Sequence, residues 1–176
     1  MKKIAYLFIL VLIVMIAGSF ITAPKENSIH WITIAEAQKE YQTNPKPFLV
    51  DVYTSWCSWC KVMEKETYTN DSVANYINTH YYAVKLDAET RDTIAWGGNR
   101  YVYKPEYKAN GFAAYLLNGQ MSFPTTVFIA DINTQPAPLP GYLKPNEFEV
   151  PLEFFGSGAY KTETFVDFSK TFSAKW

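Results

Sequence analysis

The chain is poor in cysteine, with two in 176 residues. That excludes a disulfide-rich scaffold and a four-cysteine zinc site. Histidine is equally scarce, with only His30 and His80. Charge of one sign is also lacking. Sixteen basic and 17 acidic residues leave a formal net charge of −1, which excludes the basic face of a nucleic-acid binder. There is no internal repeat, low-complexity run or interdomain linker. What is present is apolar: 48% of the residues are hydrophobic and 17% aromatic. This content excludes a wholly disordered chain, and the length fits one domain with a buried core.

Lys2 and Lys3 precede a run that is apolar from Ile4 to Ile16 apart from the Tyr6 hydroxyl. Gly18-Ser19, Ile21-Thr22-Ala23 and the polar Pro24-Lys25-Glu26-Asn27 follow. A basic start, an apolar stretch and a small residue before a polar one are the parts of a secretory signal peptide, with cleavage after Ala23, Ala17 or Ser19. Ile4 to Ala23 also has the length of an uncleaved membrane anchor. Both readings expect an exported protein, with residues 1–23 outside the fold and residues 24–176 as its single domain. No cysteine stands near the end of the segment for lipid attachment. Without Lys2 and Lys3, 14 basic residues face 17 acidic ones, a net −3.

Residues 28–41 read as a helix after a short entry strand or turn, broken by Asn44-Pro45-Lys46-Pro47. Residues 48–53 (FLVDVY) read as a buried strand whose odd member is Asp51. The pattern predicts a helix from Cys57 through Lys65, with Val62 and Met63 among its core contacts. A second helix starts at Asn70-Asp71-Ser72, and residues 81–87 read as a strand. This alternation predicts an α/β sheet. Residues 88–110 have no clean period. A short helix is expected over 111–117, a strand over 125–130, and an edge strand or extended loop over 135–140, where three prolines stand. Helices are expected over 146–155 and 162–172. Pro151 conflicts with the first of these, because proline fits only a first turn.

Both cysteines sit in one run, Trp56-Cys57-Ser58-Trp59-Cys60-Lys61. At a helix start this spacing puts the first sulfur at the exposed N-terminus and the second one turn in, within reach of a disulfide. The helix dipole and free N–H groups favour a thiolate there, lowering a cysteine pKa to about 3.5–7.5. Such a thiolate attacks a disulfide, and its neighbour resolves the mixed product. Two alternatives compete. A zinc site needs more ligands than His30 and His80 offer at their positions. A purely structural bridge would close a loop of two residues and restrain little of the unfolded chain.

Residues 48–61 resemble the active-site strand, turn and helix of the thioredoxin family. An acidic residue stands six positions before the first cysteine, a tryptophan precedes that cysteine, and a lysine follows the second. Residues 122–129 (SFPTTVFI) resemble the family's cis-proline loop and following strand. Residues 84–87 resemble the strand between them, and Gly141-Tyr142 resembles the glycine region before the last helix. The resemblance covers residues 30–156. Residues 60–68 with 70–73 are similar to the subgroup that carries CKxME, which includes periplasmic domains passing electrons outward from a membrane transporter.

The resemblance implies a thioredoxin fold, with a central mixed sheet flanked by helices, and a thiol-disulfide oxidoreductase that acts outside the cytoplasm. Cys57 would be the nucleophile and Cys60 the resolving thiol. Asp51, beneath Cys60, would be a general base with a pKa raised by desolvation, tuned by Lys85. Pro124 would be cis opposite the sulfurs. Trp56, Trp59, Phe123 and Thr125 would contact substrate. The expected partners are protein disulfides and a membrane electron donor. Beyond the Cys57–Cys60 redox disulfide no cofactor or metal is expected. The rival readings are a disulfide oxidase or isomerase, and a non-enzymatic binding module or copper carrier with Cu(I) held by the dithiolate. Ser58-Trp59 departs from the Gly-Pro of the best-known thioredoxins, so their redox potential does not transfer. The 64 positions from Cys60 to Pro124 exceed what a minimal thioredoxin needs. The excess is placed within 92–108 as an insertion before the cis-proline strand. Its Trp96, Tyr101, Tyr103 and Tyr107 would form an aromatic flap or groove that narrows substrate choice, or else a surface elaboration packed on itself.

Overall fold

A computed structural model describes residues 28–176. The proposed signal or anchor over 1–23 lies outside the described residues. Five strands form one sheet: β1 (Trp31–Ile32), β3 (Tyr82–Asp87), β2 (Phe48–Tyr53), β8 (Thr125–Ile129) and β9 (Ala137–Pro140), in that spatial order. β1, β3 and β2 run parallel, while β8 and β9 are antiparallel to their neighbours. The expected mixed sheet flanked by helices is the observed architecture.

β2 is central and buried on both faces, which is why it reads as a near-continuous apolar run. Its side chains alternate between the two faces. Phe48, Val50 and Val52 enter a core with α1 (Ile34–Tyr41), α4 (Gly111–Leu116), Val127 and Ile129. Leu49 enters the opposite core, with Met63 of α2 (Ser58–Glu66), Val73 and Ile77 of α3 (Asp71–His80), and Phe148 and Leu152 of α5 (Pro145–Gly156). Asp51 is two residues on from Leu49 and therefore points to this second face, beneath α2. Each such apolar side chain contributes about 1.5–3 kcal/mol on burial.

The helix starts follow local chemistry. Thr33 and Glu36 make a reciprocal capping box at α1, and the Asn70 side chain accepts from Ser72 and Val73 N–H at α3. α5 covers the helix expected over 146–155; it begins with Pro145 in its first turn and also passes through Pro151. An internal proline costs about 3 kcal/mol. Burial of Phe148, Leu152 and Phe154 along the same helix outweighs that cost. The last helix, α6 (Phe165–Thr171), follows a 3₁₀ turn over Ala159–Lys161 and is shorter than expected.

The segment without a clean period forms two hairpins between β3 and α4. They are β4 (Ile94–Trp96) with β5 (Asn99–Tyr101), and β6 (Tyr103–Lys104) with β7 (Ala109–Asn110). The aromatic flap is not what they build. Trp96 is 2% exposed and packs edge-on against Phe48 at 5.1 Å between centroids. Tyr101 packs on Phe112 and Tyr115, and the Arg91 guanidinium covers Tyr103. Tyr107 alone of the four is well exposed. The first hairpin is thus part of the main core. Fully buried Asn110 ties the segment down: its amide donates to Thr90 and Asp92 carbonyls while its oxygen caps α4. Among the described residues, no helix is long and apolar enough to cross a membrane.

Candidate functional site

The site assembles where β2 ends and α2 begins. Cys57 is the N-cap of α2, and its sulfur accepts a hydrogen bond from Cys60 N–H at 3.0 Å. A disulfide joins Cys57 and Cys60, with an S–S distance of 2.08 Å. Any charge on the Cys57 sulfur would face the positive end of the helix. The first cysteine is less accessible than its sequence position suggests: Cys57 is 5% exposed and Cys60 7%. The surface is supplied instead by their neighbours, with Trp56 63% and Trp59 61% exposed.

Two aromatic pairs flank the disulfide. Trp56 meets Phe123 edge-to-face at 5.9 Å, and Trp59 stacks on Tyr142 at 5.6 Å. Each pair is pinned from behind by a carboxylate. Trp56 Nε1 donates to Glu89 at 3.1 Å, and the Tyr142 hydroxyl donates to Glu66 at 2.6 Å. The Phe123–Pro124 peptide is cis, and Gly141 N–H donates to the Pro124 carbonyl at 2.8 Å. Gly141 has φ +102°, a conformation that favours glycine. An open groove of about 270 Å³ runs between Trp59, Phe123, Pro124, Gly141 and Tyr142. Thr125 does not face it. It is buried, and its hydroxyl donates to the Ser122 carbonyl at 2.8 Å, so it builds the proline loop from inside.

Beneath Cys60 lies a cavity of about 80 Å³, lined by Asp51, Thr54, Cys60, Glu64 and Lys85 among others. This volume, with the polar groups of Asp51, Thr54, Glu64 and Lys85 at its wall, suits water. The Thr54 hydroxyl is buried there without a protein partner. Asp51 is 3% exposed. Burial pushes its carboxyl pKa up to about 7, while the Lys85 charge and a Tyr68 hydrogen bond pull against that and Glu64 adds to it. Lys85 stands opposite Asp51 in the β2–β3 register and bonds Glu64 at 2.5 Å. Glu64, Tyr68, Thr126, Glu89 and Tyr142 received no role from the sequence. Their proximity depends on strand register and helix packing rather than on spacing along the chain.

Met63, one turn past Cys60, is fully buried in the core. Among the described residues, no group of three or more His, Cys, Asp or Glu is placed to hold a metal ion.

A helix-capping CxxC disulfide, a buried carboxyl below it and a cis-proline loop beside it, on a mixed sheet, define a protein of the thioredoxin fold. The family model Thioredox_DsbH (protein of unknown function, DUF255) matches residues 13–151, and the chain belongs to that family. Solved structures agree on the fold. A DsbH oxidoreductase superposes with a TM-score of 0.53 at 18% identity, covering 74% of this chain and 85% of that one. A thioredoxin-fold protein from Helicobacter pylori gives 0.54 at 21%, covering 84% and 89%. A thioredoxin from Thermus thermophilus gives 0.54 at 17%, covering 75% and 93%. Among curated proteins, an uncharacterized protein of Caenorhabditis elegans is 38% identical over 69 residues, which are 39% of this chain and 10% of that protein. Spermatogenesis-associated protein 20 of Homo sapiens is 29% identical over 69 residues, 39% of this chain and 9% of that protein. The matched stretch therefore spans a tenth or less of these curated relatives.

Proposed function

We propose that this protein is an extracytoplasmic thiol-disulfide oxidoreductase that reduces protein disulfides through Cys57 and Cys60. The observation that carries this reading is the pair itself, a disulfide at the N-terminus of α2 with a buried carboxyl of raised pKa in the cavity beneath.

In the reduced form the α2 N-terminus favours the Cys57 thiolate. That thiolate attacks one sulfur of a substrate disulfide. The substrate S–S bond breaks, a mixed disulfide forms on Cys57, and the departing substrate thiolate takes a proton from solvent. Asp51 accepts the Cys60 proton across the cavity. The Cys60 thiolate then attacks the Cys57 sulfur, closes the Cys57–Cys60 bond and releases the second substrate thiolate. Two electrons have passed from the pair to the substrate. A base whose pKa lies near 7 is matched to this transfer at neutral pH. The groove along Trp59, Phe123 and Pro124, with Trp56 at its edge, receives the extended substrate chain. No further cofactor enters the scheme. Each turnover leaves the pair oxidised, so an outside reductant must restore it, and a membrane electron donor fits a protein that residues 1–23 export or anchor.

The test is a pair of substitutions. Cys57→Ser abolishes disulfide reduction, and Cys60→Ser accumulates mixed disulfides that are visible on non-reducing gels. Full activity in Cys57→Ser would overturn the mechanism.

A further inference from the structure

Tyr68 is a buried tyrosine whose hydroxyl ends among polar groups rather than in the apolar core. Two backbone bonds hold its position just past α2, where Thr67 and Tyr68 N–H both donate to the Met63 carbonyl at 2.9 and 3.1 Å. Its ring is gripped on two sides. Trp31 of β1 meets it edge-on at 5.2 Å and 82°, and Phe148 of α5 at 6.1 Å and 67°. The ring therefore has little freedom, and the O–H torsion is what remains. The hydroxyl lies 3.2 Å from Thr126 Oγ1. Thr126 is the cross-strand partner of Asp51 in the β2–β8 register, so the two side chains share one face of the sheet about 4.5–5.5 Å apart at Cβ. The Tyr68 hydroxyl thus stands over the pair.

We infer that Tyr68 is a positioning residue for the proton acceptor: its hydroxyl turns from Thr126 to Asp51 when the carboxyl loses its proton. With Asp51 protonated, the hydroxyl donates to Thr126. With Asp51 ionised, it donates to the carboxylate and can accept from Thr126. Only the torsion and two hydrogen bonds change, so the charge receives a donor without side-chain rearrangement.

The groups facing Asp51 divide by sign. Lys85 on β3 favours its charge, Glu64 on α2 opposes it, and Cys60 shares its cavity. Burial opposes the charge most, and a hydrogen bond from Tyr68 to the carboxylate would work against burial. Burial and the neighbouring carboxyl hold Tyr68's own pKa well above the ordinary tyrosine range. It therefore stays a donor throughout the range in which Asp51 titrates. A phenylalanine would fill the same space without this service.

The inference rests on Asp51 acting as the proton acceptor, and the experiment separates the two claims. In the oxidised full chain, the Asp51 carboxyl is titrated by ¹³C NMR, with Asp51→Asn used to assign its resonance. Tyr68→Phe should raise the proton affinity of Asp51 about ten- to a hundredfold, as expected for one lost hydrogen bond to a charged group. The pH dependence of Cys60 attack on a Cys57 mixed disulfide should move by the same factor. 3-Fluorotyrosine at position 68, a stronger donor of nearly the same shape, should move both the other way. It also provides the answer if Tyr68→Phe fails to fold. An Asp51 midpoint unmoved by both replacements would overturn the role of Tyr68. A midpoint that moves while Asp51→Asn resolves mixed disulfides at the native rate would leave the coupling standing and remove Asp51 as the acceptor.

Discussion

Trp59 stacks on Tyr142, with ring planes 27° apart and centroids at 5.6 Å. The contact joins the first turn of α2 to the loop after β9 and walls one side of the groove beside Pro124. Trp59 is mostly exposed, so its partner is free to be a substrate chain as well as Tyr142. Aromatic contacts of this kind contribute about 0.5–1.5 kcal/mol beyond area burial. Trp59→Ala should therefore raise KM for a peptide disulfide by about three- to tenfold and leave kcat nearly unchanged. Steady-state kinetics check this, and an unchanged KM would remove Trp59 from the docking surface.

Asp51 makes stability depend on pH in a defined direction. Its pKa is about 7 in the folded protein against 3.8 for the ordinary group. Below pH 3.8 the carboxyl is protonated in both states. Between there and about 7 the unfolded chain releases the proton and the folded one keeps it, so stability falls as pH rises, then levels off. The full loss is about 4 kcal/mol for a shift of this size. Urea unfolding of the oxidised protein should show this fall between about pH 4 and 7, and Asp51→Asn should lack it. Parallel pH profiles for the two proteins would contradict a buried Asp51 carboxyl of raised pKa.

The hairpin segment tests differently from a flap. Trp96→Ala opens a hole against Phe48 and Phe112 and should cost about 3–5 kcal/mol of stability. Tyr107→Ala, at an exposed position, should change stability by less than about 0.5 kcal/mol. Urea midpoints measure both. A Trp96 variant of native stability would put that ring back on the surface.

The parts of this site that were legible in the sequence are local ones. The apolar run Phe48–Tyr53 with one carboxyl in it, and two cysteines spaced for a helix start, each carry their meaning within a few residues. Asp51 stood out because nothing else in that run is charged. Tyr68 did not, because its role depends on Thr126 lying opposite Asp51, a register set by β2–β8 pairing. Trp96 is ambiguous in the sequence for a related reason. In strands of two or three residues, an aromatic side chain that faces solvent and one that faces the core leave the same pattern. The resemblance gives Thr125 a substrate contact, but in the fold its hydroxyl donates to the Ser122 carbonyl, a contact the spacing does not show. Cys57 sits at the expected helix start, but Trp56 and Trp59 beside it supply the exposed surface.

The central claim is that Cys57 and Cys60 are a redox couple working in the reducing direction. Equilibrating the protein against dithiothreitol buffers of graded ratio, and counting free thiols at each, measures it directly. The account predicts reversible cycling with a midpoint on the reducing side, closer to about −270 mV than to about −120 mV. A midpoint near about −120 mV, that of a strong disulfide donor, or a pair that never cycles, would contradict it.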